Sequence, residues 1–147
     1  MKWYQILWEL PQSLLGWIIS CFLTILKKSN YLGRRIMIFK RNNWFSQLFS
    51  GTSLGFYILL PAGRDEVTVL HEYGHCLQSA KWGWLYLLVT GFPSLCNNLR
   101  GRRIYKDMTY EEVQRDYYNR YPEKEADELG GVVWVDGVRE KASVDAR

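Results

Sequence analysis

Both histidines of this 147-residue chain fall in one five-residue stretch, His71-Glu72-Tyr73-Gly74-His75. Residues four apart project from one face of a helix, so on a helix His71 and His75 offer two imidazole nitrogens to a single ion. Glu72, one position on from His71, is placed to reach a water instead of the ion. Two ligands and a general base on one helical turn are what metal-assisted hydrolysis of a peptide bond requires. The surroundings suit a buried helix: Val67, Thr68, Val69 and Leu70 precede the motif, and Cys76 and Leu77 follow it. The pattern predicts a helix from about Glu66 to Lys81.

A catalytic zinc takes three protein ligands and keeps one position open. The third is sought on a second element, and Tyr121-Pro122-Glu123-Lys124-Glu125-Ala126-Asp127-Glu128-Leu129-Gly130-Gly131 supplies it. Proline suits a first helical turn, acidic residues suit the positive N-terminal end, and paired glycines suit a stop. Glu123 and Asp127 share a face. Glu123 is the expected ligand, and Asp127 is expected to accept the free N–H of a ligand histidine. Glu125 competes for the ligand role from the same turn; only Glu123 forms a Glu-x-x-x-Asp pair with Asp127.

HExxH followed by Glu-x-x-Ala-Asp resembles the gluzincin metallopeptidases, and among them most nearly the membrane-associated branch of the CAAX-prenyl-protease type. The resemblance covers about residues 65–80 and 117–131. It implies a small α+β, zincin-like domain with one Zn2+ on His71, His75 and Glu123, Glu72 as general base, Asp127 in support, and a peptide or protein as substrate. The chain departs from the pattern in two ways. It is shorter than typical members, and it has no third histidine to stabilise the oxyanion. The nearest residues for that task are Tyr117, Tyr118, Arg120 and Tyr121.

The length accommodates a single domain spanning 1–147 with a core of its own. Nearly half the residues are apolar, with seven tryptophans and ten tyrosines, which excludes a disordered chain. Three cysteines without paired spacing argue against a disulfide framework; Cys76 and Cys96 read as small buried residues. Residues 1–60 carry Lys2, Lys27, Lys28, Arg34, Arg35, Lys40 and Arg41 against Glu9 alone. A basic, aromatic segment fits anionic lipid or nucleic acid. No nucleic-acid motif accompanies it, and the adjoining apolar run favours lipid.

That run occupies residues 3–26 and reads as a hydrophobic helical segment over 3–28, closed by Lys27-Lys28. Its clean part, Leu14–Leu26, is about two-thirds of a span of roughly 20 residues. A membrane helix that includes the earlier residues, an interfacial helix and a core helix all remain open, and the expectation is a membrane-associated protein. Glu9, Pro11 and the lack of a small-residue cleavage site argue against a signal peptide. Further on, Arg35–Lys40 reads as a strand, Asn42-Asn43 as a turn, Gly51-Thr52-Ser53 as a break, and Leu54–Leu60 as a buried strand whose edge suits an extended peptide. Leu85–Val89 and Gly91–Leu95 form a second, shorter apolar stretch, and Arg100-Gly101-Arg102-Arg103 reads as a basic loop. Thr109-Tyr110-Glu111-Glu112 matches a capping box opening a helix to about Asn119. Val132–Val135 reads as a strand, Asp136-Gly137 as a turn, and the chain from Arg139 as a frayed polar tail.

Overall fold

A computed structural model describes residues 3–143. The architecture is mixed α+β, as the sequence pattern predicts. Two N-terminal helices, α1 (Trp3–Trp8) and α2 (Leu10–Cys21), lead into the hairpin β1 (Ile25–Tyr31) and β2 (Arg34–Phe39). A short helix α3 (Trp44–Leu48) follows, then β3 (Thr52–Leu54) and β4 (Tyr57–Pro61). The long helix α4 (Glu66–Trp82) comes next, then a 3-10 turn at Gly83–Leu85, a π turn at Leu87–Gly91 and α5 (Phe92–Ile104). After α6 (Tyr110–Tyr118) and α7 (Glu123–Gly130), the hairpin β5 (Val132–Val135) and β6 (Val138–Lys141) closes the described chain.

The main sheet has the order β1-β2-β4-β3. β2 and β4 run parallel; β1 and β3 are antiparallel to their neighbours. Successive strand residues point to opposite faces, and the core divides accordingly. Met37, Phe39 and Leu59 pack with Leu23 and Phe45 on one side of the sheet. Ile36, Ile58 and Leu60 pack against Cys76 of α4 on the other. β4 is therefore covered on both faces and flanked on both edges, while β3 leaves one edge unpaired.

Several expectations are corrected. The apolar run to Leu26 is not one helix: α2 stops at Cys21, and Ile25–Tyr31, Lys27-Lys28 included, is a strand. Leu32 (φ 44°) and Gly33 (φ 83°) form the left-handed two-residue turn that matches strand twist, and this turn draws the preceding residues into the sheet. No helix among the described residues is long and apolar enough to cross a membrane. The single strand expected at Leu54–Leu60 is broken at Gly55-Phe56, so the open edge belongs to β3 and not to the buried β4. Arg100–Arg103 lies inside α5, with Tyr105 packed over Gly101. Cys96 is exposed, because it sits on the outer face of α5. The residues from Val138 to Lys141 are a strand and not a frayed tail.

The contact that matters most for the site is between α4 and α7. An added Cβ at Gly74 would lie 1.8 Å from the backbone oxygen of Ala126, and one at Gly130 would lie 2.1 Å from that of Leu70. The two helices touch backbone to backbone at both points, and only glycine fits. Gly74→Ala and Gly130→Ala are each expected to cost on the order of 1–3 kcal/mol of unfolding free energy, the usual scale for overpacking a tight contact. Urea titrations would measure this; midpoints equal to wild type would show that the helices separate freely.

Candidate metal centre

α4 begins where Asp65 accepts from the backbone N–H of Thr68 at 2.9 Å, a side-chain cap on a free helix N-terminus. Six residues after Asp65, His71 begins the pair: it and His75 face the same way, both buried, with their rings edge to face at 4.7 Å. α7 brings Glu123, which is 1% exposed. Its Oε2 stands 3.2 Å from Nε2 of His71 and 3.2 Å from Nε2 of His75. Ligands 2.0–2.1 Å from a tetrahedral ion lie roughly 3.3 Å from one another, so both carboxylate–imidazole separations already match what a small divalent cation needs, and all three donor atoms lie within 4.8 Å of one another. His71, His75 and Glu123 form a group able to hold a metal ion, and no fourth His, Cys, Asp or Glu joins it among the described residues.

The other ring nitrogens are engaged, which turns both Nε2 atoms toward the common point. His71 Nδ1 lies 2.7 Å from Asp127 Oδ1, and His75 Nδ1 lies 2.7 Å from Gln78 Oε1. Gln78 is held in turn: its Nε2 donates to the backbone oxygen of Pro122 at 3.0 Å and to Glu125 at 2.8 Å. Glu125 thus lies outside the donor triad. It sits two residues, about 200°, round the helix from Glu123, pairing with Lys81 at the surface and with Gln78. Ser94 of α5 donates to Glu123 Oε1 at 2.6 Å, which leaves Oε2 for the ion.

Arg139 of β6 grips Asp127, donating from Nε at 2.9 Å and from Nη2. Its guanidinium stacks 3.3 Å over the ring of Tyr118, which meets His71 edge-on at 5.1 Å. Neither the HExxH motif nor the downstream Glu-x-x-Ala-Asp points to Gln78, Ser94 or Arg139 as members of this site. Gln78 carried the one available signal, three residues beyond His75 on the same helix; nothing local marks the other two, which arrive from distant elements.

Glu72 is buried at 4% exposure and is not one of the grouped donors. Ser53 Oγ lies 2.6 Å from the backbone oxygen of Glu72 and 2.7 Å from its Oε2, so one hydroxyl proton serves both. An added Cβ at Gly51 would meet Glu72 Oε1 at 2.4 Å. Ser53 of β3 and Gly51 just before the strand therefore pack against this carboxylate and fix it on the wall of a cavity of about 330 Å3. The cavity is lined by His71, His75, Glu72 and Glu123 at one end and mainly by apolar side chains elsewhere, among them Phe45, Phe49, Leu54 and Leu87. Tyr117 and Tyr118 line it too. Tyr121 does not; it is half exposed in the turn before α7, and Arg120 pairs with Asp116 instead.

Burial alone would depress the His71 imidazolium, but hydrogen bonds to Asp127 and Glu123 and the nearby Glu72 charge outweigh it and raise the pKa to about 9. Burial would likewise raise Glu123, yet the two histidines outweigh it and hold the carboxyl well below its usual range. Burial pushes Tyr117 strongly up and Tyr118 up to about 12, the latter against the opposing Arg139 charge, so both phenols stay protonated. No protein-family model, curated protein or solved structure matches the chain.

Two outcomes are expected. His71→Ala and Glu123→Ala should abolish stoichiometric metal uptake, while Asp127→Asn and Gln78→Leu should weaken it by about 10–100-fold, the usual cost of losing a partner behind a metal ligand. Metal content after dialysis against graded chelator measures both; unchanged stoichiometry in the two ligand variants would remove the assignment. In metal-free protein His71 binds its proton more tightly folded than unfolded. That contribution is complete below about pH 6.5 and is lost as pH rises through about 9. The melting temperature of the metal-free protein should therefore fall across that interval, and His71→Gln should flatten the profile.

Proposed function

We propose that this chain is a zincin-like metallopeptidase that hydrolyses a peptide bond in a peptide or protein substrate, with one Zn2+ held by His71, His75 and Glu123. The observation that carries the reading is the position of Glu72. It shares the turn of α4 with both histidines, stands outside the donor triad, and faces the same cavity with its carboxylate fixed by Ser53. A structural metal site has no use for such a group, and is closed by a fourth protein ligand. Two imidazoles and one carboxylate suit zinc among the divalent cations. When bound, zinc supplies a Lewis acid that polarises a carbonyl and increases the acidity of water.

The chain's own residues do the rest. Glu72 takes a proton from the attacking water as its oxygen bonds to the carbonyl carbon, and passes that proton to the departing amide nitrogen as the C–N bond breaks. Tyr117 and Tyr118 line the cavity with the donor triad and are the candidates for the role that a third histidine has in the families this motif resembles. Tyr118 is held by Arg139, which leaves the Tyr117 hydroxyl, kept protonated by burial, as the donor to developing negative charge on the carbonyl oxygen. Thr52, Ser53 and Leu54 of β3 line the same cavity beside Glu72, and the backbone oxygen of Ser53 is already taken by the Tyr86 hydroxyl at 2.9 Å.

Glu72→Gln keeps size and removes basicity. Its metal content should match wild type, and cleavage of a broad peptide library, read by mass spectrometry, should fall by at least about 10²-fold, the scale for losing a general base. Equal cleavage by both proteins would discard Glu72 as the base. A zinc-loaded wild type that cuts nothing would identify the metal as structural.

A further inference from the structure

Two helices of this fold are built inside out. On α2 the buried positions are Gln12, Gly16 and Ser20, four residues apart, while Leu14, Leu15, Trp17, Ile18, Cys21 and Phe22 are exposed. On α5 the polar side chains turn inward: Ser94 to Glu123, Asn97 to the backbone of Tyr121, and Asn98 to that of Leu48. Phe92, Leu95, Cys96 and Leu99, at spacings of three and four, form its exposed stripe. A helix facing water shows the reverse pattern.

The two stripes adjoin. Leu15 and Ile19 of α2 and Phe92 and Leu95 of α5 line the same cavity, and three of these, Leu15, Phe92 and Leu95, are also 38%, 63% and 38% exposed. They are rim and outer face at once. α1 and the 3-10 turn extend the face with Trp8 and Trp84, whose indole N–H groups are spent internally: Trp8 donates to the backbone of Ala80 at 2.9 Å and Trp84 to that of Leu7 at 2.8 Å. What they present outward is bare ring.

Charge points to the occupant. No Asp or Glu occurs in residues 10–64 or 73–106, which include both stripes, whereas Lys27, Lys28, Arg35, Lys40 and Arg41 are exposed in the first of these segments. We infer that the joined faces of α2, α5, α1 and the 3-10 turn seat in one leaflet of an anionic bilayer, lying in the membrane and not crossing it, so that the mouth of the metal cavity opens against lipid. Apolar side chains with tryptophan and flanking cations are what an interfacial surface combines. On the hydrolase reading, on which only this last consequence rests, the substrate is a membrane-borne polypeptide that enters from the lipid side.

The free cysteines supply the test. Cys21 and Cys96 lie on the two stripes, and Cys76, fully buried, is an internal reference. Vesicles of phosphatidylcholine with phosphatidylglycerol should slow labelling of Cys21 and Cys96 by a membrane-impermeant maleimide by about tenfold or more, and vesicles of phosphatidylcholine alone should do so much less. Leu15→Cys and Leu95→Cys, placed in a chain with Cys21→Ser and Cys96→Ser, should be protected equally. Leu14→Glu combined with Leu99→Glu, both at exposed positions, should abolish flotation with the vesicles while circular dichroism is unchanged. Unaltered labelling on anionic vesicles overturns the proposal, as does protection without vesicles in a protein that sediments as a dimer, which would assign the face to a second copy. Equal protection by neutral vesicles overturns the anionic preference, and rim cysteines that stay reactive overturn the lipid-facing mouth. Glu72→Gln should dock as wild type does. Docking without any hydrolysis would defeat the peptidase reading and leave the surface standing; hydrolysis without docking would do the opposite.

Discussion

The structure turns on how closely α4 and α7 approach. Gly74 and Gly130 let two helix backbones meet with no side chain between them. From that separation follows the 3.2 Å spacing between Glu123 and both histidines. A side chain of ordinary size at either point would swing the carboxylate away from the imidazoles. The same contact concentrates buried acid: Glu72, Glu123 and Asp127 are all nearly inaccessible. Such charges are tolerable only with partners. Arg139 answers Asp127, Ser53 and Ser94 hydrogen-bond the two glutamates, and the remaining negative potential appears as the raised proton affinity of His71. A site with that imbalance has a ready place for a divalent cation.

A second polar knot ties the N-terminal helices to this helix pair. Arg34 donates to both oxygens of Glu9 at 3.0 and 2.8 Å, Ser79 donates to Glu9, and Gln12 donates to Ser79 and to the backbone of Gly83. All four side chains are buried. The interior of this molecule therefore holds an unusual share of its hydrogen-bonding groups, and its aliphatic and aromatic residues are correspondingly displaced outward. Glu9 and Gln12, which interrupt the apolar N-terminal run in the sequence, are the residues that anchor it.

The parts legible from sequence are those where the chemistry is local. The spacing of His71 and His75, the pairing of Glu123 with Asp127, the Thr109–Glu112 capping box and the Gly131 stop each depend on a few neighbouring residues, and each stands where the pattern puts it. The contacts of His71 with Asp127 and of Glu123 with both imidazoles follow from helix periodicity once two helices meet. What was hidden depends on tertiary contact. Arg139 looks like one cation in a charged tail until β6 folds back on Asp127. Ser94 looks like a residue of an apolar stretch until α5 crosses the site. The run ending at Leu26 divides between α2 and β1 without a mark in its composition, because hydrophobicity does not distinguish helix from strand over short lengths, and the deciding Leu32-Gly33 turn lies beyond it. The α2 stripe was legible only as composition; which residues face outward depends on where Gln12 and Ser20 find partners.

Arg139 also sets an order of events. The groups that define the centre are spread from His71 to Arg139, and the last of them lies close to the end of the described chain. During synthesis from the N-terminus, α1 and α2 with their outward apolar stripes emerge long before β6 exists to brace Asp127. A chain of this design presents the apolar stripes of its N-terminal helices first and completes the hydrogen bonds behind His71 last.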